Sequence, residues 1–173
     1  LREEEAAAGG PEDVLLLARA EAGWGNWSAV AELLDGAEWL PGESGAIGLY
    51  LLGRAWEARG QWAEAAESYS RYVDLSSSGT TRHHASIVRW TRSLWKSGER
   101  EASFIALHQL APHLGAQSWT ALELALGEAR DGNVSSVEDL VSIIEHPSAR
   151  LSSWRLLPDA LFEAGDLTGT AEA

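Results

Sequence analysis

Hydrophobic and polar positions along the chain follow a helical period that is interrupted at regular intervals. Five glycines, Gly25, Gly60, Gly98, Gly132 and Gly165, each stand between two apolar-periodic stretches, 35, 38, 34 and 33 residues apart. Eleven and eight residues before each glycine come Val14/Leu17, Leu49/Leu52, Ile87/Trp90, Ala121/Leu124 and Trp154/Leu157. Five, nine and twelve residues after three of them come Val30/Leu34/Ala37, Ala65/Tyr69/Tyr72 and Val137/Val141/Ile144. Such i, i+3, i+4, i+7 stripes predict amphipathic helices that pack one face. Strand alternation and Asn-Gly hairpin signals are absent from the sequence. Each glycine predicts a helix–turn–helix: it takes the left-handed conformation that ends one helix, and Asn26, Asn133 or Asp166 caps the next.

The pattern predicts five pairs, with first helices over about 11–24, 43–59, 80–97, 116–131 and 149–164. Second helices are expected over about 26–39, 61–75, 99–111, 133–145 and from 166 onward. A single hairpin of this kind cannot bury its apolar face, whereas several stacked in register share one continuous core. The whole chain, 1–173, reads as one α-solenoid with repeats at about 11–40, 43–77, 80–112, 116–147 and 149–173, the last incomplete. Both ends read as cut. Residues 1–8 look like the close of a helix ending at Gly9-Gly10, Asp166 looks like the opening of another, and the absence of methionine argues against Leu1 as a native start.

Residues 46–77 resemble a tetratricopeptide repeat, with Leu49, Leu52, Gly53, Trp56, Gly60, Trp62, Ala65, Tyr69 and Leu75 at that family's signature positions. The other repeats are degenerate. Where this one has Gly53 they carry Ala18, Thr91, Ala125 and Pro158, and where it has Ala65 they carry Val30, Ser103, Val137 and Thr170. Pro158 is expected to kink or break the fifth first helix. The resemblance implies an all-α, right-handed superhelix of about five antiparallel hairpins that binds a partner in a concave groove lined by the first helices.

Counted from the glycines, that groove would present Arg19, Arg54 and Arg92 at one equivalent position, with Lys96, Arg130 and Arg155 nearby. Tyr50, Trp95, Trp119 and Phe162 would supply aromatic surface, and Glu12, Glu57, Asp159 and Glu163 the acidic groups. Guanidinium groups in a row suit carboxylates, because each offers a planar fork of donors. The expected partner is a protein or peptide segment with acidic character. The competing explanation is pairing along each helix, Arg54 with Glu57 and Arg155 with Asp159, which contributes only about 0.2–0.5 kcal/mol per pair. Of the nine tryptophans, Trp27, Trp56, Trp62, Trp90 and Trp154 are expected in the core, and Trp95 and Trp119 in the groove.

Composition narrows the classes further. Twenty-six acidic against 13 basic side chains give a formal charge of −13, which argues against a nucleic-acid partner. No apolar run approaches the ~20 residues of a membrane span. Without cysteine there are no disulfides, thiolate metal sites or cysteine nucleophiles, and either a reducing or an oxidising compartment suits the chain. His83 and His84 are adjacent, and His108 and His113 are five apart, so neither pair aligns two ligands on one helix face. No metal or cofactor is expected.

Glu43-Ser44 with Gly45-Ala46-Ile47-Gly48-Leu49-Tyr50 is similar to two fused pieces of the soluble lytic transglycosylase motifs. A linker carboxylate lacks the cleft that raises a general acid's pKa, so Glu43 is not expected to be catalytic. Some members of that enzyme group carry a noncatalytic α-superhelix of degenerate helix pairs. The alternative to a peptide-binding scaffold is therefore a superhelical region of a cell-envelope enzyme of this type, with a glycan strand as its ligand. Neither reading makes this stretch an enzyme.

Overall fold

A computed structural model describes residues 10–42, 46–78, 80–110 and 115–165. The described residues are helical, with no strand among them. The helices are α1 (Pro11–Gly23), α2 (Trp27–Leu34), α3 (Ile47–Ala58), α4 (Trp62–Leu75), α5 (Thr81–Ser97), α6 (Arg100–His108), α7 (Ala116–Arg130), α8 (Val134–Ser142) and α9 (Pro147–Glu163), with a single 3₁₀ turn at Leu40–Gly42. They fall into two compact units, one ending at Ser103 and the other beginning at Phe104. The helices expected before Gly9 and after Gly165, and the candidate Glu43, lie outside the described residues.

Four of the turns are built alike. Gly25, Gly60, Gly98 and Gly132 all have φ between 71° and 92°, a conformation glycine adopts without a Cβ clash. The N–H of the residue after each glycine bonds to a carbonyl five residues back: Asn26 to Glu21, Gln61 to Trp56, Glu99 to Leu94 and Asn133 to Glu128, each at 2.9 Å. This is the 6→1 bond of a Schellman motif, which satisfies a carbonyl that the helix end leaves open. The expected asparagine caps are half right. Asn26 Oδ1 accepts from the Ala29 N–H at 3.4 Å, but Asn133 makes no such cap. Instead both asparagines donate across their turns, Asn26 to Glu21 at 2.8 Å and Asn133 to Glu128 at 3.1 Å.

In the first unit α1 packs on α2 and α3, α2 on α3, α3 on α4, and α4 on α5. The pairs Ala18/Val30, Gly53/Ala65 and Thr91/Ser103 occupy equivalent places, seven residues before and five after a turn glycine, and all six residues are buried. At Gly53 the close approach is explicit, since a Cβ there would come within 2.7 Å of the Tyr69 ring. In the third pair a hydrogen bond takes over from close packing, Ser103 Oγ donating to the Thr91 carbonyl at 2.9 Å. The core of this unit gathers Leu15, Val30, Leu34, Leu40, Leu49 and Tyr69.

In the second unit α7 packs on both α8 and α9, with Ala125 and Val137 buried at the corresponding crossing. The buried Ser118 of α7 accepts the N–H groups of Glu145 and His146, each at 3.0 Å, and so fixes the link into α9. Helix α9 runs unbroken through Pro158, contrary to the expected break; Pro158 lies on its exposed side. Two ladder positions are also corrected. Leu17 is 43% and Trp154 70% exposed, because α1 and α9 turn Leu15/Ala18 and Ser153/Leu157 inward instead.

Candidate functional site

Long side chains join helices α3 and α5. The Arg82 guanidinium sits 5.9 Å from the centre of the Tyr50 ring, and Arg89 Nη1 donates to Glu57 Oε2 at 2.6 Å. Both contacts join residues 32 positions apart, so the two helices run parallel in a fixed register. On α5 the residues Arg82, Arg89 and Lys96 recur every seven positions, with Arg92 three beyond Arg89, which places them on one side of the helix. Arg82 and Arg89 meet α3, whereas Lys96 meets Trp62 at the start of α4. Tyr50, Arg54 and Glu57 follow the same spacing on α3 and are each half-buried. Together the two helices carry five cationic side chains and one carboxylate, in a chain of formal charge −13.

Glu57 stands at the centre of this face. Its Oε2 accepts from Arg89 at 2.6 Å and from the Tyr69 hydroxyl at 2.7 Å, and lies 3.7 Å from Arg54 Nε. Tyr69 is fully buried, and burial first, then the Glu57 charge, raises its pKa well above the ordinary phenol value. The hydroxyl is therefore a permanent donor. Burial works against the Arg89 cation, but the charge and hydrogen bond of Glu57 offset it, so the Arg89 pKa lies above the usual arginine value.

Other cations lie over aromatic rings. Arg54 covers Trp27 at 4.8 Å and Lys96 covers Trp62 at 4.4 Å. Trp27 and Trp62 each stand two residues after a turn glycine, and each is covered from the first helix of the following pair. Such contacts contribute about 0.5–1 kcal/mol at exposed sites.

Of the residues named from sequence, Tyr50 and Arg54 belong to the α3–α5 contact, and Arg92 and Lys96 follow on the same side of α5 beyond the end of α3. Arg19 is exposed on α1, which packs on α3. Trp119, Arg130 and Arg155 are exposed in the second unit, where no ion pair joins Arg155 to Asp159 among the described residues. Trp95 is a correction: it is only 5% exposed, packs on the same buried stripe as Ile87, Thr91 and Leu94, and is covered by Arg100 at 4.0 Å. The expected row of Arg54 and Arg92 is also displaced. Ser86 stands opposite Arg54 in the observed register, and Arg92 is six residues further on, about 9 Å at ~1.5 Å per residue.

Arg82, Arg89 and the buried Tyr69 hydroxyl are the site groups that glycine counting misses. The interval from Gly60 to Gly98 is 38 residues and α5 has 17 residues against 12 in α3, so counting back from Gly98 overshoots the contact register. The seven-residue recurrence of Arg82, Arg89 and Lys96 is the signal that finds them.

Ala63, Ala66 and Ser70 of α4 and Trp90 and Leu94 of α5, with neighbouring polar groups, line a depression of about 340 Å³. Among the described residues no group of three His, Asp or Glu side chains is placed to hold a metal ion, and no helix is long and apolar enough to cross a membrane. No protein-family model, curated protein or solved structure matches the chain.

Proposed function

We propose that the chain is a noncatalytic, tetratricopeptide-like interaction module that binds an acidic peptide segment or chain terminus on the α3–α5 face. The observation that carries this reading is the charge segregation. Helix α5 has four basic and no acidic residues, and two of them, Arg82 and Arg89, meet α3 beside its Arg54 and its single carboxylate, Glu57. Tyr50 adds an aromatic surface beside them. Guanidinium forks offer several N–H donors each, so Arg89 keeps donors for a ligand beyond the Nη1 bound to Glu57. Near-identical turns and the equivalent buried pairs support the repeat reading on which the geometry rests.

The test is fluorescence anisotropy with a labelled glutamate-rich peptide and a lysine-rich control. The acidic peptide binds, binding weakens as salt rises, and the double variant Arg82→Gln/Arg89→Gln loses most of it. Equal binding of both peptides, or no effect of the double variant, removes the proposal.

A second reading draws on the exposed Trp119 and Trp154, 44% and 70% accessible, in the second unit. Exposed indole faces suit sugar rings, which favours a glycan strand as in the superhelical regions of lytic transglycosylases. Sedimentation with insoluble peptidoglycan, compared between the wild type and Trp154→Ala, separates this reading from the first.

A further inference from the structure

We infer that Tyr69 is a positioning residue for the anion-binding face, holding Arg89 in place through Glu57. This rests on the proposed acidic-peptide reading and goes beyond it, since Tyr69 is fully buried, out of reach of a ligand on the surface.

The relay is continuous in space. Gly53 leaves room for the Tyr69 ring, which a Cβ would approach to 2.7 Å, and so lets α4 bring that ring against α3. The hydroxyl then reaches Glu57 Oε2 at 2.7 Å, and the same oxygen takes Arg89 Nη1 at 2.6 Å. A lone glutamate on a helix surface samples several rotamers. One tied to a buried hydroxyl on one side and a guanidinium on the other is held to one, and it holds the guanidinium in turn. Glu57 uses a single oxygen and Arg89 a single nitrogen, so the pairing fixes the arginine end-on and leaves its Nε and Nη2 edge for another carboxylate. The alternative role for Glu57 is a built-in competitor that occupies Arg89 until a ligand displaces it. The buried hydroxyl argues against displacement, because a departing Glu57 would leave the Tyr69 donor without a partner in the core.

The experiment measures binding of the labelled glutamate-rich peptide to the full chain and to Tyr69→Phe, Glu57→Gln and Tyr72→Phe, each at matched folded fraction. Tyr72 lies on the same helix, is buried, and touches the Tyr50 ring at 5.7 Å, so Tyr72→Phe reports any general effect of losing a core hydroxyl. Tyr69→Phe is expected to weaken binding about tenfold or more, the scale of one lost hydrogen bond to a charged group. Glu57→Gln weakens it as well, the two losses are not additive, and Tyr72→Phe binds as the wild type does. Unchanged affinity in Tyr69→Phe, or tighter binding in Glu57→Gln, overturns the positioning role while leaving the peptide reading intact. A wild type that does not bind the peptide overturns both.

Discussion

Ser103 and Thr91, twelve residues apart on neighbouring helices, are joined by a hydrogen bond from the serine hydroxyl to the threonine carbonyl at 2.9 Å, both residues buried. They occupy the places of Ala65 and Gly53 in the preceding hairpin. A degenerate repeat thus keeps its crossing by exchanging a close apolar contact for a polar one. Ser103→Ala is expected to lower the stability to chemical denaturation by about 1 kcal/mol, the net worth of one such bond. Ser103→Leu costs more, about 1–3 kcal/mol from overpacking.

Gly53 carries the opposite test. Gly53→Ala places a Cβ 2.7 Å from the rigidly packed Tyr69 ring, so the expected loss is about 1–3 kcal/mol even though alanine is the better helix former. Urea unfolding checks this. A neutral or stabilising result shows that the ring has room to move.

The two tryptophans named together for the groove separate sharply. Trp95, 5% exposed, is expected to cost about 3–5 kcal/mol on truncation to alanine. Trp119, 44% exposed, falls within about 1 kcal/mol of the wild type. Thermal unfolding of the two variants distinguishes them directly.

His83 gives the fold an acid sensitivity. Burial, and then the neighbouring His84, lowers its pKa below the ordinary 6.5, and its Nδ1 lies 2.8 Å from Ser76 Oγ. Below pH 6.5 the unfolded chain takes up this proton before the folded chain does, so stability falls as pH drops through that window. Urea midpoints are expected to decrease from pH 7.5 to pH 5.5, and His83→Gln is expected to flatten that slope. Because His83 is only half-buried, the change is small.

These cases also define what the sequence makes legible. The helices and turns follow from one period and from glycines whose positive φ is a local property, which is why α1, α5 and α7 begin and end within about a residue of the positions expected. Burial at the crossings follows too, since Val30, Leu49, Ala65 and Val137 sit on unambiguous stripes. The lateral register between first helices does not, because it depends on the length of α5 and on which side chains meet across the gap. Arg89 meeting Glu57 is a contact over 32 residues that no local pattern encodes. Trp95 turns in and Trp154 turns out, against the sequence pattern, for the same reason: a bulky residue at the margin of a stripe faces one way or the other according to its neighbours, here Leu94 and Leu157.

The most direct test of the α3–α5 face as an anion-binding surface is amide hydrogen exchange of the chain with and without a saturating glutamate-rich peptide. The account predicts that added protection concentrates in residues 50–58 and 82–97, and that Arg82→Gln/Arg89→Gln abolishes it. Protection confined to α7–α9, or none anywhere, contradicts it.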